Sequence, residues 1–188
     1  ELLELAGHRE WGKRMQDDIT AGAEWLATQG FADARRICIY GGSYGGYAAL
    51  WAAVKTPDLF RCVASLAGVS DLALMFSAKS DVNSDPFGLL FERRTIGDPS
   101  EDAKLFDEVS PLKGAARIKV PVLLAHGDLD ARVPIVHSEK MVEALKANGK
   151  QFEWIVLRGE KHGISREAAR ERFYNALFDF LARNTAPP

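Results

Sequence analysis

The sequence predicts an α/β fold, with a mostly parallel sheet covered by helices on both faces. Short apolar runs alternate along the chain with longer segments of helical periodicity, which is the pattern of such folds. The runs are apolar almost throughout, as strands buried on both faces are. Glycine and other turn residues bound them. With 188 residues, the chain is long enough for one domain with a core, and we expect a single domain over residues 1–188.

Four strands and four long helices account for most of the chain. The predicted strands are RICIYG (36–41), FRCVASLAG (60–68), VPVLLAHG (120–127) and FEWIVLRG (152–159). The predicted helices cover residues 13–28, 44–55, 134–148 and 165–183. Gly30 stops the first helix, Pro134 starts the third, and Asn148-Gly149 ends it.

Residues 71–117 differ from the rest, because they contain helical patches and no convincing strand. A connection of this length is unusual in a compact domain, and long connections over an active face are often functional. We expect this segment to form a cap that helps to shape a substrate pocket.

Composition excludes several classes of function. The net charge of −2 and the pI near 6.1 give no basic surface for a nucleic acid or a membrane. No apolar run has the length of a transmembrane helix, and the first residues lack the pattern of a signal peptide. Cys38 and Cys62 lie in apolar runs, so we expect buried free thiols and a cytoplasmic protein. If the chain is a fragment, a signal peptide upstream of it would not appear in this sequence.

The strongest local motif is Gly41-Gly42-Ser43-Tyr44-Gly45-Gly46, between a predicted strand and a predicted helix. It matches Gly-x-Ser-x-Gly, in which a serine on a strained turn acts as a nucleophile. We expect glycine at Gly41 and Gly45 because side chains there would collide with the neighbouring strand and helix. A phosphate-binding loop is disfavoured because no Lys-Ser/Thr follows the glycines. A dinucleotide-binding loop is disfavoured because the Gly-x-Gly-x-x-Gly spacing is absent. A simple tight turn remains the alternative.

A serine nucleophile needs a base and an acid, which in this type of fold follow in the order Ser, Asp/Glu, His. His162 comes just after the fourth strand, between two glycines. Asp128 and Asp130 come just after the third strand and compete for the acid role. Position favours Asp130, because an aspartate directly after Gly127 commonly closes a turn. Strand C-terminal ends are where α/β sheets bind ligands.

The other three histidines are weaker candidates. His8 lies near the terminus, and His137 lies on a helix, where we expect it to face solvent. His126 ends the third strand and is expected to be a hydrogen-bonded structural residue.

Taken together, the motifs resemble the prolyl oligopeptidase family of α/β-hydrolases, and most of all its acylaminoacyl-peptidase and dipeptidyl-peptidase-like members. The resemblance covers nearly the whole chain. It is carried by GHREWG, MQDDI, GGSYGGYAALWA, TPDLFRCVASLAGVSDL, PVLLAHGDLDARVP and GEKHG. It implies a catalytic triad of Ser43, Asp130 and His162.

The resemblance also implies substrate-binding roles. Arg132 would donate to a substrate carbonyl, with a surface ion pair as the alternative, and Val133 would line the primary pocket. Tyr44 would give its backbone N–H to the oxyanion hole and its ring to the pocket wall. The remaining candidates are aromatic residues for which core packing is the alternative: Phe76, Phe87 and Phe91.

The activity implied is hydrolysis of short peptides or acyl-peptides without a metal or an organic cofactor. A carboxylesterase on the same fold, and a catalytically silent fragment that acts as a folding or assembly partner, are the alternatives. The sequence begins at the helix before the nucleophile strand, whereas the family has a β-propeller and a fuller hydrolase domain. The N-terminal half of the sheet, with a second oxyanion donor, would therefore be missing. We expect self-association or pairing with that missing part along an open strand edge.

Overall fold

A four-stranded parallel sheet forms the centre of the computed structural model, which describes residues 2–77 and 79–187. The strands are β1 (Cys38–Gly42), β2 (Cys62–Leu66), β3 (Val122–Gly127) and β4 (Phe152–Leu157), and they lie in the order β1-β2-β3-β4. All three pairings are parallel. Each strand coincides with a predicted apolar run, so the predicted α/β fold class is confirmed.

Helices cover both faces of this sheet. They are α1 (Leu2–Ala6), α2 (Arg14–Thr28), α3 (Tyr44–Lys55), α4 (Pro86–Thr95), α5 (Ala103–Val109), α6 (Val136–Ala147) and α7 (Glu167–Thr185). In β3, Val122 and Leu124 pack in one core cluster with α3 and α6, whereas Leu123 and Ala125 pack with α7 on the other face. In the part of the chain that the structure describes, no helix is both long and apolar enough to cross a membrane.

The segment between β2 and β3 contains α4, α5 and three short 3₁₀ turns. The structure assigns no strand to residues 71–77 or 79–117, as expected. The segment is nevertheless tied to the core, because Leu72, Ile96 and Phe106 are almost fully buried in the cluster that contains α3. Phe76 stacks on Phe106, with 5.8 Å between ring centroids, and is therefore a packing residue.

The two cysteines form a disulfide, so the expectation of free thiols was wrong. The parallel register places Cys38 directly opposite Cys62, with 4.7 Å between the Cα atoms. Both side chains also lie on the α7 face of the sheet. Each cysteine alone resembles an ordinary small core residue, and only the register of β1 against β2 brings them together. The argument from free thiols to a reducing compartment falls with this pairing.

Candidate active site

Ser43 occupies the turn between β1 and α3 in a conformation that non-glycine residues rarely adopt. Its φ is 55°, in the left-handed region, which costs about 1–3 kcal/mol for a residue with a side chain. Its N–H donates to the carbonyl of Leu66 at 2.9 Å, which ties the turn to the end of β2. The sheet and the helix thus hold Ser43 in a strained position, as the motif predicts.

Two glycines allow this turn to form. A Cβ at Gly41 would lie 2.3 Å from the backbone carbonyl of Gly45, and a Cβ at Gly46 would lie 2.8 Å from the Cα of Gly68. At Gly45, no described atom beyond its chain neighbours and its own helix lies within 4 Å of an added Cβ. The steric requirement predicted for Gly45 is therefore wrong, and the close contact of α3 with the end of β2 occurs one residue later.

His162 links the other two predicted triad residues. Its Nε2 is 2.8 Å from Ser43 Oγ, and its Nδ1 is 2.8 Å from Asp130 Oδ2. An ionised carboxylate only accepts hydrogen bonds, so we assign the ring proton to Nδ1. Nε2 is then free to accept the proton of the serine hydroxyl. About a third of the histidine side chain is exposed.

Asp130 is a buried carboxylate with a donor on every side. Its Oδ1 accepts the backbone N–H groups of Arg132 and Val133, both at 2.9 Å. Its Oδ2 lies 2.8 Å from His162 Nδ1 and 3.3 Å from His126 Nε2. Burial by itself raises the pKa of Asp130, but hydrogen bonds from His126, His162 and Val133 outweigh it. They hold the pKa well below the usual range for an aspartate, so the group is ionised at neutral pH.

Asp128, the competing acid, has a different position. Its carboxylate accepts the backbone N–H of Gly159 and lies 3.7 Å from a guanidinium nitrogen of Arg158. It therefore supports the loop that carries His162, and among the described residues it forms no hydrogen bond with the ring of that histidine. The geometry selects Asp130 where sequence position only favoured it.

Among the other histidines, the expectation for His137 was wrong. It is fully buried, and its Nδ1 accepts the backbone N–H of Ser70 at 3.2 Å. Burial lowers the pKa of His137 to about 3. The residue lies at the start of α6, on the turn that faces the end of β2, and helical spacing alone does not reveal which side that is. His126 is buried and hydrogen-bonded, as expected.

The predicted substrate-binding residues lie around the triad in different environments. Tyr44 is the first residue of α3, so its N–H belongs to the group without partners inside the helix. Its ring lies 4.6 Å from that of Trp11, and burial raises the pKa of its hydroxyl to about 12. The guanidinium of Arg132 lies 3.5 Å from Asp81 and 3.4 Å from Glu92. Val133 is 2% exposed and packs in the core.

A cavity of about 760 Å³ lies beside Tyr44. Trp11, Tyr44, Phe91 and Glu92 contribute to its walls, whereas Val133 and Phe76 do not. Phe87 is highly exposed, and it does not line this cavity, so it belongs neither to the core nor to the cavity wall. A second cavity of about 640 Å³ between Arg35, Arg61 and Asn184 contains no triad residue. Within the described residues, no three His, Cys, Asp or Glu side chains converge as metal ligands.

One buried residue near the site escaped sequence reasoning. Glu160 has no exposed surface and accepts hydrogen bonds from Ser165 and Arg166 at the start of α7. It lies in the same Gly-rich motif as His162, which was the available signal. A charged residue between a strand and a catalytic loop is usually solvated, so its burial is visible only once α7 is in place.

Comparison with known proteins now decides the family. The model of the prolyl oligopeptidase family, Peptidase_S9, matches residues 1–187. The chain belongs to this family. It is 35% identical over 180 residues to dipeptidyl aminopeptidase BIII of Pseudoxanthomonas mexicana, covering 95% of this chain and 26% of that protein.

Solved structures of family members have the same fold. A puromycin-hydrolyzing peptidase of Mycobacterium tuberculosis superposes with a TM-score of 0.88 at 32% identity, over 98% of this chain and 27% of the other. The acylaminoacyl peptidase of Pyrococcus horikoshii gives a TM-score of 0.86 at 31% identity, over 96% and 29%. The chain thus spans between a quarter and a third of the length of these relatives. The shared part is α/β-hydrolase in fold, as predicted.

Proposed function

We propose that this chain carries the nucleophile, base and acid of a serine peptidase that hydrolyses peptide or acyl-amino-acid bonds. One observation carries the proposal. The Ser43 hydroxyl, the His162 ring and the Asp130 carboxylate form an unbroken line of two hydrogen bonds of 2.8 Å each. Three loops from three different strands supply these groups, so their convergence is not a consequence of local sequence.

The chemistry follows from the order of the groups. His162 Nε2 takes the hydroxyl proton while Ser43 Oγ bonds to the substrate carbonyl carbon. The protonated ring then gives its proton to the leaving amine as the amide bond breaks, and an acyl-enzyme remains. A water molecule, deprotonated by the same nitrogen, releases the acid and restores the serine. Asp130 remains ionised and stabilises the imidazolium in both steps.

Two further residues have proposed roles at the substrate. The N–H of Tyr44 points from the start of α3 and supplies one donor to the developing oxyanion, where a preorganised donor is worth about 3–4 kcal/mol. Arg132 donates to a substrate carbonyl. Its contacts with Asp81 and Glu92, at 3.5 and 3.4 Å, are long enough to be exchanged for a substrate oxygen.

The substrates we propose are short peptides and acyl-peptides. The relatives are named as a dipeptidyl aminopeptidase, a puromycin-hydrolyzing peptidase and an acylaminoacyl peptidase, and these names support this choice of substrates. The cavity beside Tyr44 has aromatic walls suited to an apolar side chain next to the scissile bond.

The test compares the full-length protein with its Ser43→Ala variant, using a fluorophosphonate probe and two substrates, a short peptide anilide and an aminoacyl ester. We expect labelling of the parent only, and loss of peptide turnover by about 10⁶-fold in the variant. Equal peptide turnover in the two proteins overturns the proposal. Ester turnover without peptide turnover assigns a carboxylesterase, and an unlabelled parent assigns a silent assembly partner.

A further inference from the structure

A second imidazole lies on the buried side of the triad carboxylate. His126 is the fifth residue of β3, four residues before Asp130, and has no exposed surface. Its Nε2 lies 2.7 Å from the carbonyl oxygen of Val133 and 3.3 Å from Asp130 Oδ2. Its Nδ1 lies 2.7 Å from the hydroxyl oxygen of Ser138 on α6.

These contacts determine which nitrogen carries the proton. A backbone carbonyl only accepts, so we assign a proton to Nε2 of His126. Nδ1 is then the acceptor for the hydroxyl proton of Ser138. With one protonated nitrogen and one acceptor, the ring is a neutral imidazole. A single N–H is therefore shared between the carbonyl of Val133 and the carboxylate of Asp130.

This shared donor completes the coordination of the carboxylate. Arg132 and Val133 hold Oδ1 through their backbone N–H groups, and His162 approaches Oδ2 from the exposed side. Only His126, among the described contacts to Oδ2, comes from the sheet itself. Because β3 is a central strand paired on both edges, this donor is the one with the most rigid support.

We propose that His126 is a positioning residue of the catalytic triad. It fixes the Asp130 carboxylate against β3, so that Oδ2 is directed at His162 Nδ1. Because its N–H also binds this carboxylate, it reduces the electrostatic stabilisation that Asp130 gives to the imidazolium of His162. It does not touch the substrate. This inference rests on the proposed hydrolase function, since it concerns the same three groups.

The charged and titratable groups around His126 support this assignment. Asp130 faces it from the loop after β3, and Asp130 is bonded in turn to His162 on the loop after β4. From α6, buried His137 has its pKa lowered to about 3 by burial, so it carries no charge at neutral pH, and Lys140 lies near His137. The ionised group that His126 directly contacts is thus Asp130. Hydrogen bonds to ionised groups are about twice as strong as those between neutral groups.

Three variants of the full-length protein separate positioning from simple packing. His126→Gln places an amide nitrogen where Nε2 was, so it keeps a donor to Asp130. His126→Asn is shorter, so it reaches Ser138 and leaves Asp130 without this donor. Ser138→Ala removes a buried hydrogen bond on the other side of the ring and leaves the Nε2 proton in place. Thermal unfolding of each variant measures the cost to the fold.

The measurement is the rate of fluorophosphonate labelling of Ser43 as a function of pH, which reports the protonation of His162 without a known substrate. In His126→Asn, the Asp130 carboxylate loses the hydrogen bond from residue 126 and stabilises the imidazolium of His162 more strongly. The inflection of the labelling rate therefore moves up by about half a pH unit or more. The plateau rate falls roughly tenfold. His126→Gln and Ser138→Ala keep the inflection of the parent.

An inflection that is unmoved or lowered in His126→Asn overturns the inference, as does a Gln variant that behaves like the Asn variant. In either case a labelled parent leaves the proposed function intact. A parent whose Ser43 takes no label overturns both, because then no working triad exists for His126 to position.

Discussion

Glu160 ties the loop of the general base to the last helix of the chain. Its Oε2 accepts the N–H and the hydroxyl of Ser165, both at 2.8 Å. Its Oε1 accepts from the backbone N–H of Arg166 at 3.2 Å and from the guanidinium Nε at 2.8 Å. Both oxygens of a fully buried carboxylate are therefore satisfied two residues before His162. The loop that presents the imidazole is anchored to the start of α7.

This network predicts an acid-sensitive contribution to stability. The Arg166 side chain, and after it the N–H and hydroxyl of Ser165, lower the pKa of Glu160 to about 2, from an ordinary value of 4.5. Because the folded-state pKa is the lower one, the unfolded chain binds the proton first. The contribution is complete above about pH 4.5 and is lost as the pH falls towards about 2.

We therefore expect Glu160→Gln to be less stable than the parent at neutral pH, and to lose less of its remaining stability between these two pH values. Urea unfolding at a series of pH values measures this difference. Glu167→Gln, at an exposed position in the first turn of α7, is the matched control and should follow the parent. An acid dependence of Glu160→Gln as steep as that of the parent contradicts the prediction.

Individual residues were predictable where chemistry demanded a particular order along the chain. Ser43 and His162 follow strands, in the order that a hydrolase needs, and both lie where the motifs placed them. Glu160 and His137 were not predictable, because their burial depends on how α7 and α6 pack against loops that are distant in sequence. An isolated helix or loop does not determine which of its polar residues faces the interior.

At the level of elements, the strand–turn–helix unit of β1 and α3 governs the site. The turn is possible because backbone atoms of α3 approach the ends of β1 and β2 more closely than any side chain would allow. Gly46 meets Ser65 Oγ and Gly68 Cα at this contact, both within 3 Å of an added Cβ. The neighbouring Gly45 meets no described atom beyond its chain neighbours and its own helix.

Adjacent glycines thus make a matched pair of variants. Gly46→Ala forces α3 away from β2 and is expected to cost about 1–3 kcal/mol of the free energy of unfolding, as overpacking does. Gly45→Ala is expected to leave that free energy unchanged or to raise it by up to about 1 kcal/mol, because alanine favours the helix. Denaturant unfolding of both variants measures the difference. Equal losses in the two, or a larger loss at Gly45, contradict this account of the turn.

Element boundaries show what periodicity can and cannot predict. Apolar runs bounded by glycine located all four strands to within two residues, because a strand buried on both faces has few polar positions to confuse the pattern. The start of α6 shifted from residue 134 to Val136, since Pro134 and Ile135 complete the loop after Asp130. Contacts between elements, such as that of Gly46 with Gly68, have no signal in local periodicity.

At the scale of the whole molecule, β1 is an edge strand that leads directly to the nucleophile. It pairs with β2 on one side and with no described strand on the other. Exposed aromatic rings lie beside it. Tyr40, on the strand itself, contacts the buried ring of Phe173 on α7, and the exposed rings of Tyr174 and Phe178 continue along that helix. An open edge with exposed aromatic rings beside it is a typical site of strand addition.

The disulfide marks the limit of sequence reasoning at this scale. Cys38 and Cys62 are 24 residues apart, and their pairing depends on the register of β1 against β2. A crosslink over a loop of this length stabilises a fold by about 3 kcal/mol, mainly through the unfolded state. The disulfide holds β1 against β2, which is the only strand paired with β1 among the described residues. The other edge of β1 therefore stays in place as an unpaired edge.

We predict that the isolated chain of 188 residues self-associates through this edge. A second copy offers the same unpaired strand, and the pairing of two edges satisfies backbone groups on both and covers the rings beside them.

Phe178→Lys places a charge in the covered surface, whereas Phe87→Lys places one at a comparably exposed ring on α4. Sedimentation velocity over a hundredfold range of concentration should show dimers or larger species for the parent and for Phe87→Lys, and mostly monomer for Phe178→Lys. Both positions are exposed, so circular dichroism should show the parental fold in each variant. A parent that sediments as a monomer throughout, or a Phe87→Lys variant that dissociates as readily as Phe178→Lys, would show that the edge of β1 is not the surface that joins the copies.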